Sequence, residues 1–503
     1  MALLLASDLS AVNLKDTALV DERMLVLNLT DSRVQLSMPG HPIEEKVVVT
    51  PLDLGRALDP KAWRLSSPGK PDFSPLKVGR KSKGRDYLMH LNPWRIDHGM
   101  EHFLYLELPQ ALKPGTEYRL SGGVLDIPIT LDPATARSES IHVNQVGYRP
   151  GAVKRGFLSQ WAGDLGAVDF AAWTGKPFEL IDLSNNKSVF KGSVTFCKRA
   201  EDPDSGQAKE GNHLASGLWV ADFSAFKVPG RYVLSIPGIG RSYPFEINAG
   251  VYRKAFQTAM RGLYHQRCGT ALKKPWGVYE RAACHAPNTG KILQSSIRRM
   301  DRQCDACQDV GSTGEVRDIA GGWHDAGDWD REPWHLFVPM VLCLAYEMAP
   351  GNFKDGELLI PESGNGLPDI LDEAQWGLDY WRRLQRPSGG VSVGLFLDKF
   401  PQPGQGAEDG DGKRYLYAED PQASYRYAAA ACHFAFALQK AGRGTQAPAW
   451  IASARKAYAW AEKNQRPGDF AIVRDDRLHA SACLFHATQE TVFHEAFKKD
   501  LLI

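Results

Sequence analysis

The hydrophobic pattern changes its period near residue 250, and this change constrains the fold more than any other feature of the 503-residue sequence. Before it, short alternating runs are separated by Pro and Gly turns: MLVLNL (24–29), KVVVTPL (46–52), HFLYLELP (102–109) and RYVLSIPG (231–238). A period of two with frequent turns is typical of β-sandwiches. After residue 250, apolar residues recur at the spacing of helix faces.

A polar stretch, TARSES at 135–140, interrupts the strand-like region. We therefore predict two β-sandwich domains, over residues 1–138 and 139–249, followed by a helical domain over 250–503. Three domains also agree with the chain length, since domains typically hold about 100–200 residues each.

The helical region contains segments of two kinds. Amphipathic helices are predicted at 251–267, 367–385 and 450–464, where the apolar residues share one face. The segment 424–438 is apolar nearly all round, which is typical of a helix buried on every side. The segment 333–350 carries Pro339 and Glu347 and is predicted to be a buried helix rather than a membrane span. Such a mixture favours an inner and an outer helical layer.

Composition excludes several classes of function. The formal net charge of +1 and the absence of Lys/Arg runs argue against nucleic acid or an acidic membrane surface as a partner.

The first residues, MALLLASDLS, show no signal-peptide pattern. Eight cysteines are too few for a disulfide scaffold, and we predict that Cys343, Cys432 and Cys483 are core residues.

The stretch GGWHDAGDWD (321–330) places Asp325 and Asp328 three residues apart. Hydrolysis of a glycosidic bond with inversion needs a carboxylate that activates water and a carboxylic acid on the opposite side of the bond. These two acids are too close in sequence to be that pair, so we interpret them as the half that holds and activates the water. Trp323 and Trp329 offer flat faces on which sugars could stack. A lone DxxD would favour a turn with capping acids, but the flanking GGW and GDW favour the catalytic interpretation.

Cysteines and histidines upstream of these acids form a candidate zinc site. The candidate ligands are Cys268, Cys284, His285 and His324. Two thiolates and two imidazoles are a ligand set of closed structural zinc sites, which fix geometry rather than perform chemistry. A Cys268–Cys284 disulfide is the alternative, and the spacing does not decide between the two. The CxxC at 304–307 could compete for the metal through Cys304 and Cys307, form a small disulfide or stay free.

At these residues the sequence resembles glycoside hydrolase family 9, in the form that carries an N-terminal immunoglobulin-like domain. The matching segments are IHVNQVGYRP (141–150), YHQRCGTAL (264–272), ACH (283–285), DIAGGWHDAGDWD (318–330), IPESGNGLPDILDEAQWGLDYWRRLQ (360–385) and DPQASYRYAAAA (420–431). They occur in the family's order and together cover about residues 141–440.

The resemblance implies an immunoglobulin-like domain followed by an (α/α)6-barrel catalytic domain that inverts the anomeric centre of β-1,4-linked glucan. It also implies that Asp328 is the catalytic base, that Asp325 helps to hold the attacking water, and that the four candidate ligands bind structural zinc. A secreted or periplasmic location is implied as well. Relatives often bind calcium, for which ESGN (362–365) is a candidate, although helix caps and surface charge are the favoured interpretation there.

Two departures from the family pattern stand out. Residues 1–138 look like an additional β-sandwich, and the helical part, which ends at KKDLLI (498–503), is shorter than twelve helices require. The family's general acid is a glutamate near the end of the catalytic domain, and no equivalent is found. Glu490 and Glu495 lie in what is predicted to be one helix and are not assigned that role. We therefore expect a chain that lacks the C-terminal part of the catalytic domain.

Other functions compete with this interpretation. A non-catalytic carbohydrate-binding protein or an inactive fragment would fit the missing acid, but a binding module has no need of a water-holding acid pair. A zinc-dependent hydrolase would need an open coordination position, which four protein ligands would close, and no HExxH motif is present. The substrate is left open among cellulose, mixed-linkage glucan, xyloglucan and amino-sugar oligomers, and so is the oligomeric state.

Overall fold

The computed structural model describes residues 12–35, 46–91, 94–203, 213–284, 289–293, 312–318, 320–324, 333–397, 414–465, 468 and 470–501. The chain divides into two compact units, Met1–Arg253 and Lys254–Ile503. The first unit is made of antiparallel sheets, and the second is mainly helical. The change of period near residue 250 therefore marks the boundary between two architectures.

The first part of the β unit contains two four-stranded antiparallel sheets, with the orders β1-β2-β8-β7 and β10-β9-β5-β6, and a separate β3–β4 pair. Its elements are β1 (Asn13–Asp21), β2 (Met24–Thr30), β3 (Ser32–Gln35), β4 (Lys46–Val49), α1 (Leu54–Ala57), β5 (Trp63–Ser67), β6 (Lys70–Phe73), β7 (Lys77–Leu91), β8 (Trp94–Glu107), β9 (Tyr118–Gly122) and β10 (Ile127–Ile129). Leucines of β2 and β8 share one buried cluster with Trp63 and Leu120 of the other sheet, which is the packing of a sandwich.

Strand β2 and the adjacent part of β8 are buried on both faces. Leu25 and Leu27 point into the core of the first sandwich, whereas Val26 and Tyr105 belong to the core of the following sandwich. Because successive side chains of a strand point to opposite faces, a strand covered on both sides must be apolar throughout. The run MLVLNL is therefore a strand buried on both faces, not the half-buried alternating strand that we predicted, and Asn28 is its only polar residue.

The second part of the β unit again pairs two antiparallel sheets. Its strands are β11 (Ile141–His142), β12 (Arg155–Leu158), β13 (Pro177–Asp182), β14 (Lys187–Ser193), β15 (Thr195–Lys198), β16 (Leu218–Asp222), β17 (Gly230–Ile236), β18 (Gly240–Arg241) and β19 (Phe245–Ile247). One sheet has the order β11-β12-β16-β15 and the other the order β14-β13-β17-β18, with β19 also paired to β17. Aromatic side chains fill the space between them, including Phe178, Trp219 and Phe245.

The TARSES stretch is not the exposed polar break that its composition suggests. Ser138 and Ser140 are fully buried, and both hydroxyls donate to the carbonyl of Val20, at 3.1 and 3.0 Å. The stretch also forms backbone bridges to β1 and to Arg241. Its serines are polar because they satisfy backbone groups inside the unit, since a buried polar group without a partner is costly.

The helical unit contains seven longer helices and a small sheet among its described residues. The helices are α2 (Arg253–His265), α3 (Phe337–Met348), α4 (Asp369–Arg383), α5 (Pro421–Lys440), α6 (Ala447–Asn464), α7 (Phe470–Thr488) and α8 (Thr491–Leu501). The sheet has the order β21-β20-β23-β22, from β20 (Thr289–Leu293), β21 (Ser312–Asp318), β22 (Leu395–Leu397) and β23 (Arg414–Leu416).

Helix α5 is the centre of this unit. It starts with Pro421 in the first turn, and the Asp420 side chain caps it by accepting from the N–H groups of Gln422 and Ala423. The helix packs against α3, α4, α6 and α7, and most of its side chains are buried. The prediction of a helix buried on nearly every side is confirmed, and it extends beyond the predicted 424–438.

Two helix predictions need correction. The segment 333–350 does form a helix, α3, but Val341 and Met348 are 60% and 78% exposed, so one apolar face is not buried within the described residues. The segment 486–497 is not one helix, because α7 ends at Thr488 and Gln489 adopts a φ of 60° before α8 begins. Within the described parts of the chain, no helix combines the length and apolarity that crossing a membrane would need.

Candidate functional site

The segment that leads into the GGWHDAGDWD acids is paired to the segment that follows α2. The N–H of Cys268 donates to the carbonyl of Gly322 at 2.9 Å, and the N–H of His324 donates to the carbonyl of Gln266 at 2.8 Å. Gly321 completes the pairing by donating to the carbonyl of Cys268 at 3.2 Å. Gly321 has a φ of 117°, a conformation that favours glycine. The end of α2 and the residues up to 324 are therefore fixed as one short antiparallel pair.

This pairing brings together three of the four predicted zinc ligands, Cys268, Cys284 and His324, which we call the loop cluster. Their ligand atoms all lie within 4.8 Å of one another. The Cys284 sulfur is 3.2 Å from His324 Nε2, and it accepts the Gly269 N–H at 3.0 Å. Both cysteines are buried. Two thiols and an imidazole in this arrangement fit zinc, which prefers soft sulfur and nitrogen ligands.

The alternative of a Cys268–Cys284 disulfide is not formed in this structure. The two sulfurs are 4.0 Å apart, about twice the length of a disulfide bond. Several other predicted site residues lie outside the described residues, so the structure neither supports nor opposes their assignments: Asp325, Asp328, Trp329, His285, Cys304 and Cys307.

A buried ion network lies directly behind the loop cluster. Arg267 is 1% exposed, and its guanidinium binds the carboxylate of Glu373 through two nitrogens, the shorter contact being 2.8 Å. Glu362 accepts from the same guanidinium at 2.9 Å, and the ring of Trp376 stacks on it at 4.5 Å. Burial alone would lower the pKa of Arg267, but the charge and hydrogen bonds of Glu373, aided by Glu362, raise it. Sequence reasoning missed this network, since nothing marks Arg267 as buried.

Trp323 belongs to this network rather than to an open surface. It is 3% exposed, and its indole N–H donates to Glu373 at 2.9 Å. Its ring lies against Gly377 of α4, where an added Cβ would come within 2.2 Å of a ring carbon. The expectation that Trp323 stacks on a sugar finds no support here, because the ring is enclosed. We infer that Trp323 holds the backbone beside His324 in place.

Acidic side chains at the start of α4 bind backbone N–H groups and polar side chains of the loop before it. Asp369 accepts from the N–H groups of Gly356 and Leu358 and from the Ser363 hydroxyl, at 2.7–2.8 Å. Asn365 donates to Asp372 at 2.8 Å. Burial, opposed by this hydrogen bond and reinforced by nearby carboxylates, raises the pKa of Asp372 to about 7. Glu362 binds Arg267, and the contacts of Ser363, Gly364 and Asn365 are those of caps and turns, so residues 362–365 indicate no calcium site among the described residues.

The two glutamates near the end of the chain are surface residues. Glu490 pairs with Arg455 at 2.9 Å, and Glu495 pairs with Lys498 at 2.7 Å. Both pairs are substantially exposed. These contacts agree with leaving both residues without a catalytic role.

A second cluster was not foreseen. Cys483, predicted to be a plain core residue, lies beside His433 and His479, and the three ligand atoms are within 4.8 Å of one another. Cys343 and Cys432 are buried as predicted. The signal that could have revealed the second cluster is the four-residue spacing of His479 and Cys483, which places them on one helix face.

Comparison with protein-family models identifies the class of protein to which the chain belongs. Residues 136–241 match the family model of the cellulase N-terminal Ig-like domain, and residues 252–501 match that of glycosyl hydrolase family 9. The molecule is thus a glycoside hydrolase region preceded by an Ig-like module. The chain belongs to glycosyl hydrolase family 9, as its sequence motifs predicted.

Two curated relatives are endoglucanases. Endoglucanase D of Acetivibrio thermocellus is 32% identical over 186 residues, which are 36% of this chain and 27% of that protein. A xyloglucan-specific endo-β-1,4-glucanase of Bacteroides ovatus is 27% identical over 356 residues, which are 69% of this chain and 54% of that protein. The chain therefore spans about a quarter to about half of the length of these relatives.

Solved structures show the same fold. A metagenome-derived family 9 endoglucanase is 31% identical, with a TM-score of 0.56 over 71% of this chain and 63% of that chain. A zinc-binding triple mutant of another family 9 endoglucanase is 23% identical, with a TM-score of 0.54 over 70% of this chain and 62% of that chain. Each likeness therefore covers only part of either chain.

Proposed function

We propose that this chain is a glycoside hydrolase that cleaves β-1,4-linked glucan by direct attack of water, with inversion at the anomeric carbon. Membership of family 9 supports hydrolysis of a glycosidic bond. The relatives are named as endoglucanases, which supports β-1,4-glucan as the substrate class. Membership of family 9 supports an (α/α)6 barrel as the arrangement of the helices. The partner is then a β-glucan polymer or oligomer.

The observation that carries the proposal is the fixed backbone immediately before the acid pair. Asp325 follows His324 directly in the sequence, and Asp328 is three residues further on. His324 is held on its main chain by Gln266 and on its ring by Cys284. A hydrolase needs its reacting carboxylate held within a fraction of an ångström, and this support is built from buried, charged and sulfur-containing groups.

In the proposed reaction, Asp328 removes a proton from water while the water oxygen bonds to the anomeric carbon and the glycosidic C–O bond breaks. Asp325 accepts a hydrogen bond from the same water and orients it. A carboxylic acid must protonate the leaving oxygen, and we assign no residue of this chain to that step. Trp329 is the residue proposed to stack on the sugar.

Zinc has a structural role in this proposal. Cys268, Cys284, His324 and His285 would hold it, and four protein ligands would leave no open position for water. When bound, it would tie the end of α2 to the segment before the acids. A secreted or periplasmic location is part of the proposal, and membership of family 9 supports it.

The test measures the reducing ends released from soluble β-1,4-glucan by the 503-residue chain and by three Asp→Asn variants. We expect Asp328→Asn to lower the rate about 10²–10⁴-fold, the usual contribution of general acid–base catalysis. Asp325→Asn should lower it less, because the water loses one of two partners. Asp330→Asn, the same change in the same segment, is the matched control and should stay within a few-fold of the parent.

Nuclear magnetic resonance of the first product formed then tests inversion, which releases the α-anomer from a β-linked glucan. A parent chain that releases no reducing ends contradicts the proposal for this chain. An Asp328→Asn variant as active as the parent contradicts the assignment of the base, and an initial β-anomer contradicts inversion.

A further inference from the structure

Three helices of the helical unit bring together four side chains of types that can bind a metal, and none of them belongs to the loop cluster. His433 of α5 faces His479 and Cys483 of α7, and Glu347 of α3 lies behind His433. His433 Nε2 is 3.0 Å from His479 Nε2 and 3.6 Å from the Cys483 sulfur. We call His433, His479 and Cys483 the helix cluster.

These separations are close to those of ligands around one tetrahedral ion. In zinc sites the Zn–N distance is about 2.0–2.1 Å and the Zn–S distance about 2.3 Å, so two ligand nitrogens lie about 3.3 Å apart and a nitrogen and a sulfur about 3.6 Å apart. The helix cluster has 3.0 and 3.6 Å for the corresponding pairs. All three ligand atoms lie within 4.8 Å of one another, so one ion can reach them together.

Glu347 supplies the hydrogen-bond acceptor that a metal-binding histidine ordinarily has on its second ring nitrogen. Its carboxylate is 2.9 Å from His433 Nδ1, which leaves Nε2 to face His479 and Cys483. A carboxylate on the second nitrogen fixes the ring orientation and the tautomer that presents a lone pair to a metal. Glu347 therefore orients a ligand, and the three protein ligands leave a fourth position to water or another small ligand.

The site is partly buried, and its ligand types make it selective. Cys483 is 7% exposed, and the His433 side chain is 13% exposed, so the ligands are partly shielded from water while a path to solvent is kept. A thiolate with two imidazoles selects zinc and related soft divalent ions over magnesium or calcium, which prefer oxygen. Since His479 and Cys483 are one helical turn apart, α7 places both without any loop.

A hydrogen-bonded trio is the competing interpretation. A hydrogen bond between His433 and His479 could account for the 3.0 Å separation of their Nε2 atoms. It would leave the Cys483 sulfur directed at His433 Nε2, which that hydrogen bond already occupies. A cation satisfies the converging lone pairs of all three atoms at once. We propose that His433, His479 and Cys483 form a second zinc-type metal site, which Glu347 orients. The proposal rests on these side chains alone and does not depend on the proposed hydrolase function.

The first test counts zinc per chain after dialysis, with the metal alone as the probe. We expect Cys483→Ala and His479→Gln each to bind one zinc fewer than the parent. The matched controls are Cys432→Ala, a buried cysteine of α5, and His486→Gln, a histidine further along α7; neither is a ligand of the helix cluster, and both should keep the parental number. Unchanged zinc in both Cys483→Ala and His479→Gln would overturn the proposal.

The second test uses the unmodified chain, so it stands even where a variant fails to fold. Crystals grown with zinc should show an anomalous peak about 2.0–2.3 Å from His433 Nε2, His479 Nε2 and the Cys483 sulfur. Zinc-containing crystals with no peak between α5 and α7 would overturn the proposal, whatever is bound at the loop cluster.

Discussion

The loop cluster and the helix cluster contain the same types of side chain, but loops carry the first and helices carry the second. The loop cluster joins three non-helical stretches between residues 268 and 324, which are held by a short antiparallel pair and by the Arg267 network. The helix cluster sits on α5 and α7, which pack together along their apolar faces. A metal at the loop cluster would therefore hold the backbone in place, whereas a metal at the helix cluster would occupy a frame that is already formed.

The largest effect we expect comes from the buried ions behind the loop cluster. Glu373→Ala leaves the charge of Arg267 buried with Glu362 as its remaining carboxylate, and it also removes the acceptor of the Trp323 indole. Breaking a buried ion pair by removing one partner costs about 3–5 kcal/mol. We expect the free energy of unfolding, measured by urea denaturation, to fall by about that amount.

The matched control for this prediction is Glu490→Ala. It removes the same side chain from an exposed pair with Arg455, and exposed pairs contribute about 0–1 kcal/mol. Equal losses of stability in the two variants would show that the buried Arg267 network contributes no more to stability than an exposed ion pair does.

The next effect concerns metal removal and compares the two clusters within one experiment. Zinc at about 100 times its dissociation constant stabilises a site by about 2.7 kcal/mol, equivalent to about 100-fold in an opening equilibrium. A chelator should therefore speed amide hydrogen exchange in residues 266–284 and 321–324 by up to about 100-fold. Exchange in α5 and α7 should change much less, since their backbone bonds are protected by helix packing.

Mass spectrometry of peptic fragments measures both regions in one sample. The control is the same chelator added to Cys268→Ala, in which the exchange of 266–284 should already be fast and should change little. Faster exchange in α5 and α7 than in the loop segments would reverse the comparison and would assign the larger structural role to the helix cluster.

The two clusters also show what a sequence can predict. The cysteines and histidines of the loop cluster made it a candidate zinc site, and the family resemblance favoured zinc there over a disulfide. The amphipathic helices, such as α4 and α6, were predicted from their apolar period, and α4 also has acids in its first turn and arginines in its last. Three of the four predicted zinc ligands lie together, and family membership agrees with the motifs.

The features that were missed depend on tertiary contacts. Cys483 lies in an apolar helical pattern, and only the packing of α7 on α5 brings it to His433. Ser138 and Ser140 have the composition of a linker, and only the structure shows that they bond to Val20. Arg267 would be read as a surface residue, because an arginine is buried only where partners such as Glu373 surround it.

The smallest effect tests whether the Trp323 ring really fixes the loop cluster against α4. An added methyl group at Gly377 would lie 2.2 Å from that ring, so Gly377→Ala must displace Trp323 or α4. Overpacking of a core costs about 1–3 kcal/mol, and we expect the urea midpoint to fall accordingly. Gly262→Ala is the control, because Gly262 lies in α2 with no atom within 4 Å of its added Cβ. Alanine in an open helix position stabilises by about 0.5–1 kcal/mol, so the same substitution should have opposite signs at the two glycines. A stabilising Gly377→Ala would mean that the ring is free to move, and the loop cluster would then depend on its ligands and backbone pairing alone.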